Sequence, residues 1–347
     1  MKFGVLVNTQ APPDGARVPQ LYQEILAEAA LAEAVGFETI CVPEHHLMPD
    51  GYLPQPLVLL AAVAARTERA RLATTVFHLV ERDPIHVAEE VAVLDCLSNG
   101  RVSLGVGINL VEADFRLFGV PMKGAARRYE EQIEILRGVW SQRSFTHAGE
   151  FYSYDGITVT PRVVQQPHPP IWIGAMSEPG LKRAGRMGVG WVTDPLHNLD
   201  VMQAWAEIVR ATAAEASQPR PHIVLKRDAW VTRSDRDLHE TWWPTIRAHH
   251  LFYKKLGFFS SGRFNSKWEP WIAALTDDEW TFDRIVPNRL VAGSPQQVVE
   301  EIQRCVELIG CDEMVFSLRH AQGPDHKATM ECIELFGSDV LPHVAAL

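Results

Sequence analysis

The stretch Thr39-Ile40-Cys41-Val42-Pro43-Glu44-His45-His46 is a short apolar run that ends in a carboxylate and two imidazoles. A buried parallel strand closes on such groups where its end opens onto solvent or a ligand. In α/β sheets and barrels, ligands sit at the carboxyl ends of the parallel strands. The rest of the chain therefore reads as a scaffold that carries this strand end.

Working outward, strands and helices alternate. Residues 2–8 form the preceding strand. Leu21, Ile25, Leu26, Ala29, Ala30 and Ala34 then recur at helical spacing, and Gly36 closes that helix. Downstream come a helix opened by Pro54, a strand at 71–77, a helix from Pro84 stopped by Asn99-Gly100, a strand at 102–106 and a helix at about 124–141. Four such units in a row imply a parallel sheet with right-handed crossovers. Residues 151–154 and 157–160, joined by Asp155-Gly156, read as a β-hairpin excursion. Strands at 171–174, 190–193, 222–231 and 313–317 then alternate with helices from Ser177, at 199–216, at 295–309 and at 326–345. The aromatic stretch 235–290 (Trp242, Trp243, Phe252, Tyr253, Phe258, Phe259, Phe264, Trp268, Trp271, Trp280) breaks the rhythm. The expected fold is a (β/α)8 TIM barrel, a single domain over 1–347 with an insertion after strand seven at roughly 235–290. A doubly wound sheet would need fewer strands and a Gly-rich first turn, which this chain lacks.

Composition narrows the class. A formal charge of −10 argues against a non-specific partner for nucleic acid or an anionic membrane. The longest apolar run, around 57–65, is too short to span a bilayer. Cys41, Cys96, Cys305, Cys311 and Cys332 are scattered and lack CxxC spacing, which points to a reducing compartment without a disulfide framework or a zinc site. Residues 1–7 run straight into a strand and leave no room for a signal peptide, so a cytoplasmic location is expected.

His45 and His46 are neighbours on a strand end, so their side chains point to opposite sides and do not share one metal ion easily. One imidazole can act as acid or base near neutral pH while Glu44 orients a neighbour. Gly105 and Gly107, at i and i+2 on strand four, admit either a flat ligand or a close packing partner. Gly174-Ala175-Met176-Ser177 ends strand five in small residues, and Ser177 opens the next helix. Such a turn is either an ordinary N-cap or a phosphate site. The aromatic stretch serves equally as a pocket wall, a subdomain core or a dimer face.

Taken together the chain resembles the luciferase-like monooxygenase family, the flavin-dependent (β/α)8 barrels that include bacterial luciferase. The likeness runs nearly the whole length. It is carried by Glu44-His45-His46, by Asp83-Pro84 through Leu94-Asp95, by Ser98-Asn99-Gly100-Arg101 and by Asp114-Phe115-Arg116-Leu117-Phe118-Gly119. Gln166-Pro167-His168-Pro169-Pro170-Ile171-Trp172 and the closing Leu335-Phe336-Gly337-Ser338-Asp339-Val340-Leu341-Pro342 add to it. The resemblance implies that His45 is the acid/base near the flavin, with Glu44 and His46 as supports. It further implies a cis peptide at Thr75-Val76 under the flavin ring, Glu89 as a carboxylate near the cofactor, and Ser177 and its following amides as the phosphate turn. Gly107, Asn109, Gly174, Ala175 and Met176 complete the implied cofactor wall. Where the luciferases place a phosphate-binding Arg after strand four, this chain has Ile108-Asn109.

Three functions follow as expectations. The first is a two-component monooxygenase that receives reduced FMN from a separate NAD(P)H:flavin reductase. It would form a C4a-peroxide with O2 and oxygenate a partly apolar small molecule; no NAD(P)H fingerprint is present. The second is an F420-dependent oxidoreductase of the same fold. The third is a non-catalytic flavin-binding subunit, which has no need of Glu44-His45-His46. The resemblance also implies a homodimer packed through helices of the N-terminal half, including 57–65.

Overall fold

Leu6, Cys41, Ala73, Trp172, Val192, Val224 and Val315 meet at the centre of the fold, each from a different strand. The computed structural model describes residues 1–10, 17–48, 50–109, 111–255, 257–259 and 269–347. Its strands are β1 Lys2–Leu6, β2 Thr39–Val42, β3 Arg71–Thr74, β4 Phe77–His78, β5 Val102–Gly107, β6 Phe145–Ala148, β7 Ser153–Ile157, β8 Ile171–Gly174, β9 Gly190–Val192, β10 Ile223–Val231, β11 Val291–Gly293 and β12 Glu313–Ser317. Eight of them pair in parallel in the order β1-β2-β3-β5-β8-β9-β10-β12, and β12 returns to β1, so the barrel is closed. This is the expected TIM barrel. Helices α1 Val18–Val35, α2 Pro56–Ala64, α3 Pro84–Leu97, α4 Glu112–Leu117, α5 Ala125–Ser141, α6 Glu178–Met187 and α7 Leu199–Glu215 follow the strands, and Pro295–Ile309 and His326–Asp339 complete the ring.

Strand three is shorter than its sequence pattern. β3 ends at Thr74, the Thr75–Val76 peptide is cis as the resemblance implied, and pairing resumes at β4 alongside β5. The two glycines of β5 make room for this break. A Cβ at Gly105 would sit 2.1 Å from the Thr74 carbonyl oxygen, and one at Gly107 would sit 2.6 Å from Val76 Cγ2. Close packing of the neighbouring chain is thus what these glycines serve.

The hairpin is displaced from its expected position. Its strands are β6 and β7, and the turn lies at 149–152, where Glu131 accepts from the Phe151 and Tyr152 amides at 3.0 and 2.9 Å. Asp155-Gly156 falls inside β7. Gly156 has φ +59° beside the register shift of the pair, and its amide donates to Thr146 Oγ1 at 3.0 Å. That dipeptide marks a bulge rather than a turn, because positive φ serves both equally well. The last expected helix, 326–345, breaks after Asp339 and resumes as Leu341–Val344. β11, which the pattern did not reveal, extends the sheet beside Ala229–Val231 of β10.

Between β10 and β11 the described residues include the helix Trp243–Lys255 and the short helices Pro270–Ala274 and Phe282–Ile285. Phe259, Ile272, Trp280 and Ile285 are buried in a cluster of their own with Leu196 and Leu275. Phe264 and Trp268 lie outside the described residues. No described helix is long and apolar enough to cross a membrane.

Candidate active site

The carboxyl ends of the barrel strands open into a cavity of about 360 Å³. His45, Thr75, Val76, Gly107, Asn109, Gly174, Ala175, Met176 and Ser177 all line it, so one strand-end cavity gathers residues from four separate sequence stretches.

His45 is placed by β2 and by its own amide, which donates to the Leu53 carbonyl at 2.9 Å. Its ring stacks on buried Tyr52, centroid to centroid 4.1 Å. Burial first, and then the nearby His78, Lys226 and His46, lower its pKa to about 3. His45 is therefore a neutral imidazole at neutral pH, able to accept one proton and donate another through its two nitrogens.

His46 turns the other way, as strand alternation requires. Its Nε2 lies 2.7 Å from Glu44 Oε1, and its ring packs edge-on against Phe118. Glu44 accepts two further bonds, from the His78 amide at 2.9 Å and from Arg82 at 2.6 Å. Burial raises the Glu44 pKa, but the His46 hydrogen bond and the charges of His78 and Arg82 outweigh it, and the net shift is downward. The ligand atoms of Glu44, His46 and His78 lie within 4.8 Å of one another. The Arg82 guanidinium already supplies the positive charge that this carboxylate needs.

Glu89 does not reach the cavity. α3 buries Val87, Ala88, Val91 and Ala92, and the helical period places Glu89 on the solvent side. Asn109 does line the cavity, but its amide is spent inside the protein. Nδ2 donates to Glu81 and Asp114, both at 2.7 Å, and Oδ1 accepts from the Val111 amide. It holds the loop after β5 and has no donor left for a phosphate.

Ser177 occupies the N-cap of α6 and makes no capping bond with its hydroxyl, which is left for the cavity it lines. Glu178 turns outward to Lys182 at 2.8 Å, while Arg183 lines the cavity and is steadied by Glu130 at 2.7 Å. Gly174 is pressed against Val76, since a Cβ there would meet Val76 Cγ1 at 2.6 Å.

Several cavity residues had not been anticipated. Lys226 and Asp228 project inward from β10, with Tyr52, His78, Asp194, His249 and His320 beside them, while Tyr253 and Phe258 of the aromatic stretch line the cavity in the pocket-wall role that was one of those expected for it. Asp228 lies 3.0 Å from His250 Nε2 and 3.2 Å from His320 Nε2. Burial opposes its ionisation, but His320 and His250 hold its pKa well below the carboxylate range. Asp194, paired with His197 at 2.8 Å, is lowered to about 2 despite burial. A legible signal existed for β10. Lys226, Arg227 and Asp228 are three consecutive charged residues within an otherwise apolar strand, and alternation puts Lys226 and Asp228 on one face together.

A barrel with its cavity at the strand ends, lined by a neutral histidine and an open helix N-terminus, has the architecture of an enzyme acting on a small molecule. The family model for luciferase-like monooxygenases matches residues 1–313, and the chain belongs to that family. It is 28% identical over 327 residues to the oxygenase component of the flavin-dependent trigonelline monooxygenase of Acinetobacter baylyi, covering 91% of this chain and 88% of that one. It is 26% identical to the F420-dependent glucose-6-phosphate dehydrogenase of Amycolatopsis mediterranei, over 94% of this chain and 95% of the other. Among solved structures, a monooxygenase from Streptomyces bottropensis superposes with a TM-score of 0.81 at 25% identity, covering 99% of both chains.

Proposed function

We propose that the protein is the oxygenase component of a two-component monooxygenase, using reduced FMN delivered by a separate NAD(P)H:flavin reductase to oxygenate a partly apolar small molecule. The observation that carries this reading is the pairing, in one cavity, of neutral His45 with the free Ser177 hydroxyl at the N-terminus of α6. The trigonelline relative, described as an oxygenase component, supports it.

The residues present fit a flavin phosphate at one end of the cavity. Ser177, the first amides of α6 and Arg183 would hold it, through backbone donors, the helix dipole and one guanidinium. The buried Thr75 hydroxyl, which has no partner, faces the same cavity. Reduced FMN and O2 together supply the oxygen atom that is transferred. His45 accepts or returns a proton at its ring nitrogen, with its plane fixed by Tyr52. Tyr253, Phe258 and Met176 exclude water and offer apolar surface to the substrate.

An F420-dependent oxidoreductase is the second reading, favoured by one observation: Asn109 stands where the luciferases have Arg, and both of its amide hydrogens are spent. Absorbance and fluorescence titrations with FMN and with F420 separate the two. Saturable FMN binding without an F420 response is expected, and the reverse result would establish the second reading. A second copy of the chain would pack on α2 and α3, where Val58 and Leu97 are exposed.

A further inference from the structure

Lys226 projects from β10 onto the floor of the cavity and is buried. Its Nζ donates to the Thr75 carbonyl at 3.1 Å, which uses one of the three donors of an ammonium. No carboxylate among the described residues comes within 4.0 Å of it. Among the described residues the buried guanidinium groups of Arg82, Arg289 and Arg319 are matched by Glu44, Glu269, and Glu24 with Glu28, while Arg227 is buried like Lys226 without a carboxylate in ion-pair range. Arg227, next along the strand, faces away from the cavity and donates to the Lys226 carbonyl. Asp228, two residues on, is held by His250 and His320. A second polar group points the same way. Thr75 is 4% exposed, lines the cavity, and its Oγ1 has no hydrogen-bond partner.

Burial lowers the Lys226 pKa, and Asp194 and Asp228, which oppose that shift, act from beyond ion-pair distance, so a negative charge brought in by a ligand would stabilise the ammonium. We propose that Lys226, with the Thr75 hydroxyl, forms an anion site on the cavity floor that pairs with a negative charge carried in by the bound molecule. Two sources share that chemistry: the ionised ring of reduced flavin, and the carboxylate of an acidic substrate. The first rests on the flavin reading above; the second does not. Either would also act on His45, because Lys226 is among the charges that hold that imidazole neutral. Neutralising Lys226 relieves part of that pressure and lets His45 take a proton more readily.

The test compares pairs of related ligands of which one member carries a negative charge that the other lacks, under anaerobic conditions and by quenching of protein fluorescence. One arm uses oxidised and reduced FMN, whose phosphate charge cancels in the comparison. The other uses benzoate and benzamide. Each arm is run on the wild type and on Lys226→Met, with far-ultraviolet circular dichroism checking that the variant is folded. Wild type should bind the anionic member of at least one pair about tenfold more tightly, and Lys226→Met should lose that preference while keeping the neutral member. A preference within the FMN pair assigns the site to reduced flavin, and one within the benzoate pair assigns it to a substrate carboxylate. The proposal is overturned if the wild type discriminates in neither pair, a result that needs no variant, or if the preference survives in Lys226→Met. If neither state of FMN binds the wild type, the flavin reading fails, and the benzoate pair still decides the role of Lys226.

Discussion

His46 Nε2 lies 2.7 Å from Glu44 Oε1, and this bond turns the second histidine of the pair away from the cavity that His45 lines. The adjacent imidazoles therefore have different tasks. His45 faces ligand, while His46 helps to satisfy a fully buried carboxylate that also receives the His78 amide and Arg82. Glu44 is the point through which the ends of β2 and β4 are tied together.

Removing that tie should destabilise the fold. Glu44→Ala leaves the Arg82 guanidinium and the His78 amide without their acceptor, which should cost about 3–5 kcal/mol in urea denaturation. Glu44→Gln keeps the shape and should cost less. The folded pKa of Glu44 is depressed, so its stabilisation is present above the unfolded value and is lost as pH falls through the folded one. The gap between wild type and Glu44→Gln should therefore close below the ordinary glutamate range. A gap that does not change with pH would show that the charge of Glu44 is not what stabilises.

His45 makes a prediction of its own. With a folded pKa of about 3, it should show no proton-dependent shift of its ring resonances between about pH 5 and 8. Because that value lies below the unfolded one, His45 favours folding above the unfolded pKa, and this contribution falls away as pH drops towards 3. His45→Ala should lower turnover by about 10²-fold, the usual worth of a positioned acid/base, with flavin binding largely kept. A titration midpoint near 6.5 in the ring resonances would mean that the ring is hydrated and its burial misjudged.

Much of this was legible in the sequence because the barrel's rules are local. Eight apolar runs followed by helical patterns specify the architecture, and a polar strand end specifies the cavity. Several of the motifs that carried the resemblance turn out to be structural clamps. Arg101 donates to the carbonyls of Ala70 at 2.7 Å and Thr67 at 3.0 Å, and Asp95 accepts from the amides of Val164 and Gln165. Beyond the charged run of β10, the cavity residues of the far half were not legible, since His249 and His320 join Asp228 only when β10, a helix and the end of β12 are brought into one place. Glu89 was misplaced because its neighbours fit the family pattern while its own helical phase points to solvent. Phase was in the sequence, and the resemblance overrode it.

The contact between Gly174 and Val76 can be tested by adding one carbon. Gly174→Ala puts a Cβ 2.6 Å from Val76 Cγ1, so the valine must move, at a cost of about 1–3 kcal/mol. The Gly174→Ala, Val76→Ala double variant should recover a good part of that loss, giving a favourable coupling in a double-mutant cycle. Additive losses would mean that the strain is relieved elsewhere.

Self-association makes the third structural test. Val58 is 71% and Leu97 64% exposed on the adjoining helices α2 and α3, apolar surface that a second copy packed there would cover. Light scattering should return the mass of a dimer at micromolar concentration, and Val58→Asp should shift it to that of a monomer. A wild-type monomer would count against a second copy on this face.

Ser177 tests fold and cofactor together. It stands at the N-cap of α6 without a capping bond, with Arg183 lining the same cavity and Glu178 drawn outward by Lys182. The outward ion pair turns the Glu178 carboxylate away from an anion at this helix end. If FMN places its phosphate here, the Ser177 hydroxyl donates to a charged acceptor. Ser177→Ala should then weaken FMN by about 1–2 kcal/mol, the usual worth of such a bond. Helix stability should change little, because the hydroxyl caps nothing in the free protein. Riboflavin has no phosphate, so it should bind wild type and Ser177→Ala nearly alike. Equal losses for FMN and riboflavin would place the phosphate elsewhere and leave Ser177 a wall residue of the cavity.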